Sequence, residues 1–395
     1  MTDVRIEAVD TRARGLRPRR ARDRAGVFEV VRRLDLLLLA AVLASVAYGL
    51  WAIDGITKLD PGGSAASRQG IYAGVGLVLM AVAIFVDPQV YRRFAGVIYV
   101  ALLAVMTLVL ATGAVTRGSR RWIDLGFFRF QPSEFGKVLI ALFLAGYLSD
   151  RSKQVGRLSV PLRAILLAAG PVFLVFVQPD IGTALVYGAV LTAALFVSGV
   201  RWAHLATIGT VALVAVLAVL WFLPAAGINV LKPYQAQRLT GVFHPSSDPQ
   251  GATYNVTQSI TTVGAGGLRG RGVAGATQTR LDYIPEHGTD FAFASLAEQR
   301  GFLGAAILLL LYLLVVWRGL RVVASAGDLF GAICAAGISF AFLFQVYVNV
   351  GMTIGIAPIT GIPLPFVSVG GSSMISNLVA MGILQAVHVR GRRRR

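Results

Sequence analysis

An all-α, polytopic integral membrane fold with about ten transmembrane helices is what this sequence predicts, and three observations carry the prediction. The 395 residues are 56% hydrophobic and 14% charged, against roughly 25% charged in an ordinary soluble domain. Apolar runs of the ~18 or more residues that a bilayer core requires recur along the chain. The net charge of +18 is gathered at the ends of those runs and not on a folded basic domain, which argues for membrane orientation and against nucleic-acid binding.

The elements follow in order. Residues 1–33 hold ten arginines and read as a disordered basic tail. Spans are expected at 34–53, 69–86, 94–112, 134–149, 160–177, 181–199, 204–222, 291–316, 328–352 and 371–388, and a second basic tail at 389–395. The first run is too long for a signal-peptide core and lacks a small-residue cleavage pattern, so it is read as a retained span. An even number of spans puts both termini on one side. The tails and the links around Arg92, Arg151 to Arg163, Arg201, and Arg318 to Arg321 hold 24 of the 37 Lys and Arg, which makes that side cytoplasmic. Only Gln178-Pro179-Asp180 separates the fifth and sixth spans, a tight helical hairpin in which Pro179 ends one helix. Cys334 is the single cysteine, so a disulfide framework or a cysteine metal site within the chain is excluded.

Two connecting segments are more than links. Residues 113–133 carry Arg117, Arg120, Arg121 and Arg129, against the charge rule for a short outer loop. Residues 223–289 form a loop far longer than usual. Tyr254, Val256, Leu268 and Tyr283 within it predict partial order, as short helices at the membrane interface.

Several residues in these places are suited to chemistry, each with a plainer reading beside it. Glu134 and Lys137 open the fourth span three residues apart, on one helical face; they neutralise each other, or form a helix-end pair with Ser133 as cap. Arg121 and Arg129 suit a lipid-linked phosphate, or general attraction to anionic headgroups. Asp180 caps the helix begun by Ile181. Asp290 stands where the polar loop enters an apolar helix, positioned as a base or as an N-cap. His287 reads as a surface-loop histidine, and Glu298 and Arg300 as residues paired within the bundle or lining a transport path. The glycines between Gly264 and Gly272 bring backbone amides near a phosphate or form a flexible lid.

Together, several stretches resemble the SEDS family of bacterial cell-wall proteins (shape, elongation, division and sporulation). They are Arg121-Trp122-Ile123-Asp124-Leu125, Phe130-Gln131-Pro132-Ser133-Glu134 with Lys137, Gln178 through Thr183, and Asp248-Pro249-Gln250-Gly251 through Gln258-Ser259. Gly266 through Gly272, Thr277-Gln278, Thr289-Asp290-Phe291, Leu296-Ala297-Glu298, Asn349 through Met352, Pro363 through Ser368 and Gly370-Gly371-Ser372 continue the match. The resemblance runs from about residue 34 to residue 388.

It implies a ten-span peptidoglycan glycosyltransferase that polymerises lipid II at the outer face of the bacterial cytoplasmic membrane. A class B penicillin-binding transpeptidase and other elongation-complex membrane proteins are the implied partners. The family's essential aspartate maps onto Asp290, and its functional Glu and Lys onto Glu134 and Lys137. Further polar positions map onto Arg68, Arg121, Arg129, Gln131, Asp180, Arg238 and Gln258. A divalent cation, magnesium or manganese, is a candidate cofactor. The chain departs from the family pattern in having Gly288 where histidine is usual, Val369 where tyrosine is common and Ile260 where the elongation branch often has lysine. Thr277-Gln278 and Asp248 through Gly251 still favour the elongation branch over the division branch. A lipid II flippase is the rival expectation, and a non-catalytic scaffold a third.

Overall fold

A helix stands at each of the ten expected spans in the structure, a computed structural model that describes residues 27–58, 63–116, 119–126, 128–228, 252–284 and 286–391. After a short helix α1 (Val27–Arg32) come α2 (Leu36–Thr57), α3 (Ala66–Phe85), the short α4 (Pro88–Arg93), α5 (Ala95–Thr112), α6 (Pro132–Asp150) and α7 (Ser159–Val177). They are followed by α8 (Ile181–Val197) and α9 (Trp202–Ala225). The long loop contributes α10 (Ala252–Ala265), α11 (Gly272–Gly275) and α12 (Thr277–Arg280), and α13 (Ala292–Ser325), α14 (Leu329–Thr353) and α15 (Gly371–Gly391) complete the chain. Among the described residues eight helices are long and apolar enough to cross a membrane; α8 is apolar but shorter, at 17 residues, and α6 carries Glu134, Lys137 and Asp150. The chain is a multi-pass membrane protein.

Two apolar cores share a central pair of helices. Leu38, Val42, Leu308, Tyr312 and Leu378 join α2, α13 and α15, and Met106, Ile140, Leu144, Tyr187 and Ile333 join α5, α6, α8 and α14. Both α14 and α15 contribute to each core. The apolar window of α15 is 94% buried, whereas no part of that of α9 is. Because lipid tails are as apolar as leucine, such contacts hold by packing and not by exclusion of water, and α15 is the pillar around which the others pack.

At the end of the bundle that carries the chain's tails, Arg318 reaches the buried Asp35 with its Nη2 2.5 Å from Oδ2. Asp35 also caps α2 by accepting from the amide of Leu38, and Gln385 of α15 exchanges hydrogen bonds with its backbone in both directions. The opposite end carries the long loop.

The all-α expectation fails over residues 113–133. Here the chain forms a three-stranded antiparallel sheet of β1 (Ala114–Thr116), β2 (Ser119–Asp124) and β3 (Arg129–Phe130), in that order. The turn between β2 and β3 is set by local chemistry: Gly126 adopts φ 83° and its amide donates to Asp124 Oδ1 at 2.9 Å, an Asx turn. The same expectation had Ser133 capping α6. Instead Pro132 takes the first helical position, where its missing amide costs nothing, and Gln131 occupies the cap position.

The described part of the long loop after residue 252 is anchored to α13. Gly301 breaks that helix with φ 67° and ψ −169°. Across the break Glu298 O accepts from the Arg271 amide at 2.9 Å, while the amides of Phe302 and Leu303 donate to Gly267 O and Leu268 O. The loop backbone is thus spliced into the helix ladder, supplying acceptors that lipid lacks. Such an approach needs glycine: a Cβ on Gly266 would lie 2.0 Å from Ala297 O, and one on Gly270 2.3 Å from Gln299 O. These glycines therefore serve backbone packing, not the phosphate approach or free lid that spacing allowed.

Candidate active site at the loop end

Asp290 ends a turn that is fastened from three directions. Within the turn, the amides of Thr289 and Phe291 both donate to Glu286 O. From the irregular segment between α14 and α15, Ser368 Oγ donates to Thr289 O and the amide of Val369 to Gly288 O. From α14 itself, Asn349 Nδ2 donates to the carbonyl of Asp290 at 3.0 Å and to that of Ile362 at 2.8 Å. The turn rests on a small apolar cluster of Val256, Ile284, Phe291, Ala294, Met352 and Ile359. Helix α13 begins at Ala292 with Phe291 in the cap position, so Asp290 stands one residue ahead of the cap. His287 is not a free surface histidine either: its side chain is 13% exposed, with Nδ1 3.2 Å from Asp282 Oδ1.

From this turn a hydrogen-bonded chain of polar groups crosses to the hairpin of α7 and α8. Gln69 of α3 donates to Ser368 O at 3.1 Å and accepts from the amide of Gly370. Two residues on, Ser372 Oγ donates to Arg129 O and accepts from the amide of Gln131. Gln131 Nε2 in turn donates to Asp180 Oδ2 at 3.2 Å. Asp180 caps α8 as predicted, accepting from the amide of Thr183 at 3.1 Å and from its hydroxyl at 3.0 Å. The segment around Thr360 and Ile362 closes the circuit from the other side, since a Cβ on Gly182 would lie 2.6 Å from Ile362 Cγ1 and 2.7 Å from Thr360 O. Beside this segment Asn349 Oδ1 and Thr360 Oγ1 are buried without a hydrogen-bond partner among the described residues.

The candidate cations divide into two groups. Arg121 is half-buried and spent on the last carbonyls of α7, donating through Nε to Gln178 O at 2.8 Å and through Nη2 to Pro179 O, a favoured place for positive charge. Lys137 is buried against Glu134, Nζ to Oε2 2.6 Å, and lines a cavity of about 10 Å³ with Gln345, Ser376 and Asn377. Arg68 and Arg129, by contrast, are exposed, and Arg129 only approaches the exposed Asp124, at 3.6 Å. Arg238 lies outside the described residues.

Two further residues fix the loop over the site. Gln258 of α10 donates to Gln278 Oε1 of α12. Glu298 is fully buried and accepts from the amides of Gln278 and Thr279 at 2.9 Å each and from the Thr279 hydroxyl at 2.7 Å. The carboxylate is therefore matched by the loop, not by Arg300. Sequence reasoning assigned no individual role to Gln69, Asn349, Ser368 or Ser372; the last three stand in stretches that carry the family resemblance, and the signal at Gln69 is a polar side chain inside an apolar run. Among the described residues no three His, Cys, Asp or Glu converge as metal ligands.

A family described as "Cell cycle protein" and comprising FtsW, RodA and SpoVE matches residues 32–393. The peptidoglycan glycosyltransferase MrdB of Escherichia coli (strain K12) is 38% identical over 353 residues, 89% of this chain and 92% of the relative. Stage V sporulation protein E of Bacillus subtilis (strain 168) is 36% identical over 361 residues, 90% of this chain and 94% of the relative. Among solved structures, a chain from a peptidoglycan synthase complex matches with a TM-score of 0.77 and 32% identity over 91% of this chain and 98% of its own. The Thermus thermophilus rod shape determining protein RodA matches with a TM-score of 0.65 and 29% identity over 90% of this chain and 96% of its own. With a family match spanning nearly all the described helices and relatives alike from end to end, this chain belongs to the FtsW/RodA/SpoVE family, the SEDS proteins.

Proposed function

We propose that this chain is a SEDS-type peptidoglycan glycosyltransferase that polymerises lipid II during cell elongation at the outer face of the bacterial cytoplasmic membrane, with both termini cytoplasmic. Relatives named peptidoglycan glycosyltransferases over most of the chain support the activity. A single observation supports the site: the turn Gly288-Thr289-Asp290 is held through its backbone carbonyls by Val369, Ser368 and Asn349 at the loop end of the bundle, on a polar network that reaches Gln131 and Asp180. The branch rests on Thr277-Gln278 and Asp248 through Gly251.

In this reading a sugar hydroxyl of one lipid II attacks the anomeric carbon of another chain. The carboxylate of Asp290 takes the hydroxyl proton, a new glycosidic C–O bond forms, and the anomeric C–O bond to the lipid pyrophosphate breaks with its electron pair leaving on phosphate oxygen. Positive charge near that oxygen lowers the barrier. Among the described residues Arg68 and Arg129, exposed beside the network, are placed to supply it, whereas Arg121 and Lys137 shape the site through the groups they already hold. The tails of the substrate stay in lipid, and the loop held by Glu298 covers the sugars and limits attack by water.

A class B penicillin-binding transpeptidase is the proposed partner, in keeping with a structural neighbour drawn from a peptidoglycan synthase complex. Purified chain with such a partner is expected to convert lipid II into glycan strands, and Asp290→Asn to abolish this while leaving thermal unfolding unchanged. Normal polymerisation by that variant would sink the assignment. Movement of fluorescent lipid II across vesicles without polymer would favour the flippase instead.

A further inference from the structure

Arg300 is a cation in a membrane helix with no carboxylate to balance it. It makes no ion pair among the described residues, and its Nε is buried without an acceptor. Its terminal nitrogens also lack a hydrogen-bond acceptor among the described residues but are not enclosed. The guanidinium carbon lies over the ring of Trp51 on α2, 3.6 Å from the centroid, and Tyr48 packs on the same ring at 5.5 Å.

The slot is built for this side chain. Gly304, one turn along α13, leaves the room, since a Cβ there would lie 2.3 Å from Arg300 Cβ. The Tyr48 hydroxyl donates to Gly304 O at 2.9 Å, and Gln299 Nε2 to Gly55 O at 3.0 Å, so α2 and α13 are locked together on both sides of the arginine. The rim is lipid-facing: Trp51, Phe302 and Leu303 are each half or more exposed. Trp51 stands six residues below the loop end of α2, about 9 Å at the rise of a helix, within reach of the interface for a side chain that snorkels.

An ionisable group at this depth is costly unless matched. A guanidinium whose face is stacked on an aromatic ring keeps its edge as a fork of donors, the geometry that binds phosphate oxygens. We propose that Arg300 and Trp51 form a binding site for the phosphate group of a membrane lipid, in the loop-end leaflet, on the lipid-facing seam between α2 and α13. It is separate from the Asp290 site, and its failure would leave the polymerase reading untouched.

The test uses the full chain in detergent micelles, titrated with dioleoyl phosphatidylglycerol and read by native mass spectrometry. The expected result is one retained lipid whose binding weakens at least about tenfold in Arg300→Gln, the loss of at least one charge-assisted hydrogen bond. Trp51→Ala is expected to weaken it too, by freeing the stacked fork. Arg300→Lys, which keeps the charge but not the fork, should fall between wild type and Arg300→Gln, and it carries the test if Arg300→Gln does not fold. A polyprenyl pyrophosphate added to the loaded protein then separates two sources: displacement of the phosphatidylglycerol assigns the site to a lipid carrying pyrophosphate, and no displacement assigns it to bulk phospholipid. Equal retention of phosphatidylglycerol by wild type, Arg300→Gln and Arg300→Lys would overturn the proposal.

Discussion

The amide of Val369 donates to the carbonyl of Gly288 at 2.9 Å, and these are two of the three positions at which the sequence departs from the SEDS pattern. A Cβ at 288 would stand 3.6 Å from Val369 Cγ2 and 3.3 Å from Thr57 Cγ2, so a side chain fits if Thr57 yields slightly. Two departures in contact, next to Asp290, act as one change. Restoring histidine and tyrosine together is expected to be non-additive. Polymerisation rates of Gly288→His, Val369→Tyr and the double variant should reveal a coupling above about 0.5 kcal/mol, the level at which contacting sites separate from independent ones.

Asn349 is expected to act on rate more than on substrate affinity, because it holds the Asp290 and Ile362 carbonyls and not a known ligand group. Asn349→Leu leaves two carbonyls without their donor, at about 1–3 kcal/mol each where buried. A fall in kcat of roughly tenfold or more with KM little changed is the expected split. A raised KM at unchanged kcat would instead make Asn349 a substrate-binding group.

Removing one partner of the Glu134–Lys137 pair should destabilise the fold more than removing both. Lys137→Met strands a carboxylate that is 2% exposed, at about 3–5 kcal/mol, whereas the double change to apolar residues of similar volume comes out near neutral. Thermal unfolding in detergent distinguishes these. The double variant tests in addition whether the pair serves only the fold, since its activity should then survive with its stability.

Glu298→Ala is expected to loosen the loop and not the bundle. It removes the acceptor of three hydrogen bonds at Gln278 and Thr279, and bonds to a charged group contribute about 1.5–3 kcal/mol each. Amide exchange over residues 276–284 should rise at least about tenfold, every 1.4 kcal/mol being one such factor, while α14 and α15 keep their protection.

The helices were legible because each is a predominantly apolar run, most of them long enough to cross a bilayer, and the hairpin because three residues between two such runs leave no other path. The Asp180 cap was legible too, being settled by a neighbour three residues away. The sheet of residues 113–133 was not. Its strands are two to six residues long, and their arginines read as free charge when one of them, Arg121, is tied to the backbone of the next hairpin. The network under Asp290 was hidden for a different reason: Gln69 and Ser368 stand 299 positions apart, and no local pattern encodes such a pairing. The glycine run looked like a ligand cradle because close approach to a phosphate and close approach to a helix ask for the same absent Cβ.

The break at Gly301 has a consequence for how the chain is made. The amides of Phe302 and Leu303 find their acceptors in residues 267 and 268, which are synthesised earlier and must already be in place when this stretch of α13 enters the bundle. Placement of the loop is thus a precondition for burying this helix in lipid, and a chain severed between the two would present bare backbone donors to hydrocarbon.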